Sequence, residues 1–188
     1  MNVAVLDHGM GNLRSVAKAL EAAGAAVKVT DDLAEIRACD ALCVPGQGIF
    51  GRCMASIERR GLRDVIGEWV EAGRPYLGIC LGMQVLFSSS EEGGGYDGMG
   101  LVEGAVTRLP ATVRVPHIGW NLVGDYYFYF DHSYAAHPSD PAVVTGWCEH
   151  GETFAASIAT GSILGVQFHP EKSAAAGLAL LKGWVTAT

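Results

Sequence analysis

Residues 1–30 read MNVAVLDHGMGNLRSVAKALEAAGAAVKVT, and they decide the fold class. NVAVLD (2–7) is a continuous apolar run, the pattern of a strand buried on both faces. GNLRSVAKALEAAG (11–24) changes the period. Leu13, Val16, Ala17, Leu20 and Ala23 share one helical face, and Gly24 supplies a stop. AAVKVT (25–30) returns to a strand. Strand, helix and strand in so short a span form a crossover unit, which joins parallel strands.

The order repeats downstream. DDLAEIRACD opens on acidic residues, as suits a helix N-terminus. ALCVPG (41–46) reads as a strand running into a turn, and residues 54–73 as one or two amphipathic helices broken near Gly61. PYLGIC (75–80) is another buried strand, with a helix expected over 81–89. The pattern predicts an α/β fold: a doubly wound, mostly parallel sheet flanked by helices. From about Leu101 the pattern shifts to short β-like pieces: LVEGAVTRL, YYFYFDHSY, AVVTGWCEHG, TFAASIATG and SILGVQFHP. Turn signals between them predict an antiparallel β extension in the C-terminal half. AAAGLALLKGWVTA predicts a closing helix with Leu178, Leu181 and Trp184 toward the core. No linker or repeat divides the chain, so one domain over 1–188 is expected.

Composition narrows the classes. With 49% hydrophobic and 18% charged residues, a disordered chain is excluded. The net charge of −7 and the lack of any basic run argue against nucleic acid or an anionic membrane as partner. The opening residues lack a cationic region, and their apolar run ends at Asp7, too short for a signal peptide or membrane span. A cytoplasmic chain is expected. The five cysteines, Cys39, Cys43, Cys53, Cys80 and Cys148, are odd in number and contain no C-x-x-C pair. Neither a disulfide framework nor a zinc site is expected, and four of the five read as small buried apolar residues.

Cys80 differs. In GICLG it repeats the logic of the nucleophile elbow G-x-S-x-G, a sharp strand-to-helix turn that small neighbours permit. The start of the following helix favours a thiolate, and the Leu81 N–H is free to bind an oxyanion. A thiolate nucleophile needs a base. Of the six histidines, most read as loop or surface residues. His169 stands apart, because ILGVQF delivers it to a strand end and Pro170 restrains its backbone. Glu171 lies two residues on, where its carboxylate can orient the imidazole. Cys–His–Glu is the constellation of triad acyl transfer. PGQGIF (45–50) adds a glycine-rich turn at a strand's carboxyl end, where Gly46 and Gly48 can let backbone N–H groups approach a ligand or complete an oxyanion hole. It lacks the spacing of a phosphate loop.

Together PGQGIF, LGICLGMQVLFSSSEEG and GVQFHPEKS resemble the class I, triad-type glutamine amidotransferases. LDHGMGNLRSVAKAL, GLVEGAVTRL, VPHIGWN and HSYAA resemble the branch whose glutaminase feeds a cyclase of histidine biosynthesis. The resemblance runs in order from residue 1 to near the C-terminus. It implies that Cys80 attacks the glutamine carboxamide, that His169 moves the protons, and that Glu171 orients His169. It implies that Gly48, Gln84, Glu92, Ser133 and Tyr134 hold the substrate, and that the Pro45–Gly48 turn flips to complete the oxyanion hole. In that family valine often stands where this chain has Gln47.

The resemblance further implies no cofactor and a (β/α)8-barrel cyclase subunit as heterodimer partner. The cyclase would use the ammonia to make imidazole glycerol phosphate and an aminoimidazole carboxamide ribotide. A barrel alone takes about 250 residues, so it must be a separate chain. Asn12, Trp120, Tyr129 and Lys172 map to the partner interface. From the residues alone, Asn12 also reads as a helix N-cap, Trp120 and Tyr129 as core aromatics, Glu92 as a solvated loop carboxylate, and Gln84 as a ligand or loop contact one helical turn past Cys80. The alternatives are a glutaminase of another pathway, another cysteine hydrolase, or a non-catalytic regulatory subunit.

Overall fold

The computed structural model describes residues 1–187; Thr188, the last residue of the expected domain, lies outside them. The elements run β1 (Asn2–Leu6), α1 (Leu13–Ala22), β2 (Ala26–Thr30), α2 (Leu33–Ala38), β3 (Ala41–Gly46), α3 (Phe50–Arg59), α4 (Leu62–Glu71), β4 (Tyr76–Cys80) and α5 (Leu81–Gln84). Short strands then dominate: β5 (Phe87–Ser90), β6 (Tyr96–Asp97), β7 (Val102–Arg108), β8 (His117–Val123), β9 (Tyr126–His132) and β10 (Tyr134–Pro138). β11 (Val144–Glu149), β12 (Thr153–Thr160), β13 (Ile163–Val166) and α6 (Ala174–Ala187) complete the order.

The central sheet has the order β11-β12-β13-β4-β3-β1-β2. The β13-β4-β3-β1-β2 portion is parallel, while β11, β12 and β13 pair antiparallel. The mostly parallel sheet with an antiparallel extension is therefore as expected. Two smaller sheets add to it: β10-β7-β5-β6, and the hairpin β8–β9. The strand in PHIGWN was not anticipated from the sequence.

The apolar runs have a direct cause. Alternate side chains of one strand leave opposite faces of the sheet, so each strand feeds two cores. Ala4, Leu6, Leu42, Val44 and Tyr76 pack on one face. Val3, Val5, Cys43, Leu77 and Ile79 pack on the other. α6 closes the second core with Leu181 and Trp184 buried and Leu178 at its margin.

Three local expectations need correction. Residues 81–89 are not one helix: α5 stops at Gln84, and Phe87–Ser90 pairs with β7 and β6. Backbone pairing to a neighbouring strand outweighs local helix preference there. The helix expected from residue 54 begins at Phe50, and the break near Gly61 is a left-handed residue at φ 65°. His8, His117 and His132 are buried rather than at the surface, His8 in the loop after β1 and the other two on β8 and β9.

Candidate active site

Two strand pairings assemble the site. β3 and β4 run in parallel with Gly46 opposite Cys80, so the Gly46–Gly48 turn emerges beside the sulfur. β13 pairs parallel to β4 with Val166 opposite Ile79. The chain leaving β13 therefore surfaces at the same sheet edge and brings Gln167 and His169 to Cys80.

Cys80 has φ 53° and ψ −109°, a left-handed backbone that ordinary residues avoid. Its surroundings admit no bulk. A Cβ on Gly82 would stand 1.7 Å from the Val44 carbonyl oxygen, and one on Gly46 2.8 Å from Leu81 Cβ. Gly82 and Gly46 are thus demanded by the close approach of β3 to the elbow. α5 has only four residues, so its dipole adds less charge stabilisation than the expected longer helix.

His169 supplies the charge. Its Nδ1–H donates to Glu171 Oε1 at 2.9 Å, and both side chains are only 2% exposed. Nε2 makes no hydrogen bond of standard geometry, and the Cys80 sulfur is the group it acts on electrostatically. Burial pulls the imidazole pKa down, but Cys80 and Glu171 outweigh it and push His169 up to about 10. The ring is an imidazolium at neutral pH, hydrogen-bonded to Glu171 through Nδ1, with Nε2 left to act on the Cys80 sulfur.

Beside the sulfur lies a cavity of about 260 Å³, lined by Gln47, Gly48, Cys80, Leu81, Gln84, Glu92, Ser133 and Tyr134, with Pro116, Asp131 and His132. All five expected substrate residues border it, together with Leu81 and two of the turn residues. Gly46, Gln47, Asn12, His169 and Glu171 line a narrow crevice behind it.

Two substrate candidates hold other contacts already. Gln84 is buried, and its Nε2 donates at 2.8 Å to both the Tyr134 carbonyl and Gln167 Oε1. It does not repeat the Cys80 backbone by one helical turn, because Cys80 is not helical. Glu92 is half-buried rather than solvated, and its Oε2 accepts from the Phe50 N–H at 2.6 Å. Its neighbour Glu91 is exposed and accepts from the Arg108 N–H.

Sequence reasoning missed Gln167. It is fully buried, and its Nε2–H donates to Cys80 Sγ at 3.5 Å. The signal in QFH was only proximity: Gln167 stands two residues before His169, and both reach Cys80.

The hairpin carries a second polar chain. Asn121 Oδ1 accepts from the Leu122 N–H, so its Nδ2 faces His117 Nε2 at 3.2 Å. His117 Nδ1–H then donates to His132 Nε2 at 3.0 Å, and His132 Nδ1–H to the Tyr134 carbonyl at 2.8 Å. Burial first, then the stacked His150 imidazole, pushes His117 down to about 4. Burial dominates at His132 as well and pushes it down to about 3. Both rings are neutral at pH 7, and the bonding order fixes their tautomers.

Of the interface candidates, Trp120, Tyr129 and Lys172 lie together, and Asn12 stands at the start of α1. Trp120 is 53% exposed and meets Tyr129 edge-on, with ring centroids 6.1 Å apart. It is therefore not a core aromatic. Lys172 Nζ lies 5.6 Å from the Tyr129 ring and 3.9 Å from Asp131 Oδ2. Asn12 caps α1 by accepting from the Ser15 N–H. Among the described residues, no group of three or more His, Cys, Asp or Glu could hold a metal ion, and no helix is long and apolar enough to cross a membrane.

The glutamine amidotransferase class-I family matches residues 4–185. An imidazole glycerol phosphate synthase subunit HisH from Moorella thermoacetica is 49% identical, over 97% of this chain and 93% of the relative. The HisH subunit of Aquifex aeolicus is 44% identical, over 98% of this chain and 96% of its own. Among solved structures, a glutamine amidotransferase superposes with a TM-score of 0.78 at 20% identity, covering 99% of both chains. A PurLQS structure from Thermotoga maritima gives 0.72 at 18% identity, over 97% of this chain and 93% of that one. At those identities the likeness is one of fold.

Proposed function

The chain belongs to the class-I glutamine amidotransferase family, and on that premise we propose how it works as the glutaminase subunit of an imidazole glycerol phosphate synthase in histidine biosynthesis. One observation carries the mechanism: the buried His169–Glu171 pair is delivered to Cys80 at a strained elbow that faces the cavity.

Glutamine binds in that cavity with its side chain toward Cys80. The sulfur adds to the carboxamide carbon, and the carbonyl oxygen becomes an oxyanion. The Leu81 N–H and one N–H of the Gly46–Gly48 turn receive it. The C–N bond then breaks, and His169 Nε2–H gives its proton to the departing nitrogen, which leaves as ammonia. His169, now neutral, takes a proton from water as the hydroxyl adds to the glutamyl thioester. The C–S bond breaks, glutamate leaves, and the thiolate–imidazolium pair is restored. Glu171 keeps Nδ1 protonated throughout, so that Nε2 exchanges the proton.

Glu92, Ser133, Tyr134 and Gly48 hold the backbone groups of the substrate. Gln84 contributes through its Oε1, because its amide hydrogens are already committed. Residues 1–188 act as one amidotransferase domain in the cytoplasm, and the ammonia passes to a (β/α)8 cyclase subunit docked on Asn12, Trp120, Tyr129 and Lys172.

Ammonia release from glutamine, with and without the cyclase subunit, tests this reading. Weak activity alone and strong stimulation by the cyclase with its bound ligand are expected. Equal rates with and without the cyclase would remove partner control. A chain that does not co-purify with the cyclase would point to another pathway.

A further inference from the structure

Building on the reading of Cys80 as nucleophile, we infer that Gln167 is a third group acting directly on the Cys80 sulfur: its amide N–H holds the thiolate and aims it, and Gln84 sets the orientation of that amide.

An amide side chain is ordinarily ambiguous between its nitrogen and oxygen, but here the bonding removes the ambiguity. The Tyr134 carbonyl can only accept, so Gln84 must turn its Nε2 toward it. The second hydrogen of the same Nε2 faces Gln167, whose Oε1 accepts it at 2.8 Å. Gln167 is thereby left with its NH₂ on Cys80 Sγ, at 3.5 Å. The Tyr134 carbonyl is itself held from the other side by His132 Nδ1–H. The orientation of Gln167 is thus set by a fixed carbonyl two residues away along the chain of hydrogen bonds.

The burial gives the contact weight. Gln167 is fully enclosed and Gln84 nearly so. In such surroundings little water competes with the donor for the sulfur. The thiol has a different partner, the Asp131 carbonyl at 4.0 Å, to which Cys80 can donate only when protonated. Sulfur is thus offered one acceptor as a thiol and two cationic or N–H partners, His169 and Gln167, as a thiolate. The charged groups around it are His169 with Glu171, Asp131 with Lys172, and Glu92 across the cavity, with neutral His132 beside them.

The test is the pH dependence of Cys80 alkylation by iodoacetamide, followed by mass spectrometry in the complete synthase with its cyclase. It needs no glutamine turnover. Gln167→Met keeps the length and removes the donor. Its alkylation midpoint should rise by about one pH unit, and kcat for glutamine hydrolysis should fall about 10-fold with KM within about 3-fold. Gln167→Glu keeps the volume and the acceptor for Gln84 but sets a carboxylate against the sulfur. It should raise the midpoint further, and it serves if the methionine variant does not fold. Midpoints that overlay the parent in a folded variant would overturn the inference and leave Gln167 as packing. Failure of the underlying reading looks different: Cys80→Ala would retain hydrolysis whatever the alkylation profile shows.

Discussion

Cys80, the last residue of β4, adopts a positive φ at the turn into α5 while keeping a side chain. Such a conformation costs about 1–3 kcal/mol and persists only where the surroundings over-determine it. That Cys80, His169 and Glu171 come together was legible because they cluster in two short segments, GICLG and HPE, and each declares a backbone constraint. Gln167 and the committed hydrogens of Gln84 were not legible, because their partners lie 83 and 50 residues apart in sequence. Glu171→Gln keeps the shape but removes the charge that orients His169, and kcat should fall about 100-fold in a steady-state glutaminase assay. The same pair affects stability with pH. The folded state raises the His169 pKa from 6.5 to about 10, so it holds the proton more tightly than the unfolded chain. Its contribution is complete below pH 6.5 and is lost as pH rises through about 10. Urea unfolding at several pH values across that window should show a decline in the parent that Glu171→Gln flattens.

The elements were legible where one period ran long enough. β1 to β4 and their helices follow directly from apolar runs and helical faces. Local sequence failed at 81–90, where MQVLFSS carries helical promise but Phe87–Ser90 is taken up by β7 and β6. It failed also at β8, whose outward Ile118, Trp120 and Leu122 alternate with buried or half-buried neighbours. Two predictions belong at this scale. Gly82→Ala would drive a Cβ into the Val44 carbonyl, and β3 cannot retreat without leaving β4. A loss of about 3 kcal/mol or more is expected in denaturant unfolding. The hairpin should weaken in acid. His117 and His132 have folded pKa values near 4 and 3, below the ordinary 6.5, so the unfolded state binds protons more readily. Stability is therefore complete above about pH 6.5 and lost as pH falls toward 4. Replacing both histidines with asparagine should shallow that slope between pH 6.5 and 4.5, even if stability at pH 7 is reduced.

At the scale of the whole molecule, the cavity opens at the carboxyl ends of β3 and β4. The hairpin that bears exposed Trp120 continues through His132 into Ser133 and Tyr134 at the cavity wall. Trp120→Ala should leave the fold intact, since the ring is half exposed, and weaken cyclase binding about 10-fold or more in a titration. The chemistry proposed at Cys80 is covalent, and that can be observed directly. Acid-quenched samples of the synthase turning over glutamine can be digested and searched by mass spectrometry for a glutamyl group on cysteine. The expected result is a glutamyl thioester on Cys80, absent from Cys39, Cys43, Cys53 and Cys148, with no hydrolysis in Cys80→Ala. An adduct on another cysteine, or glutamate release that survives Cys80→Ala, would contradict the assignment.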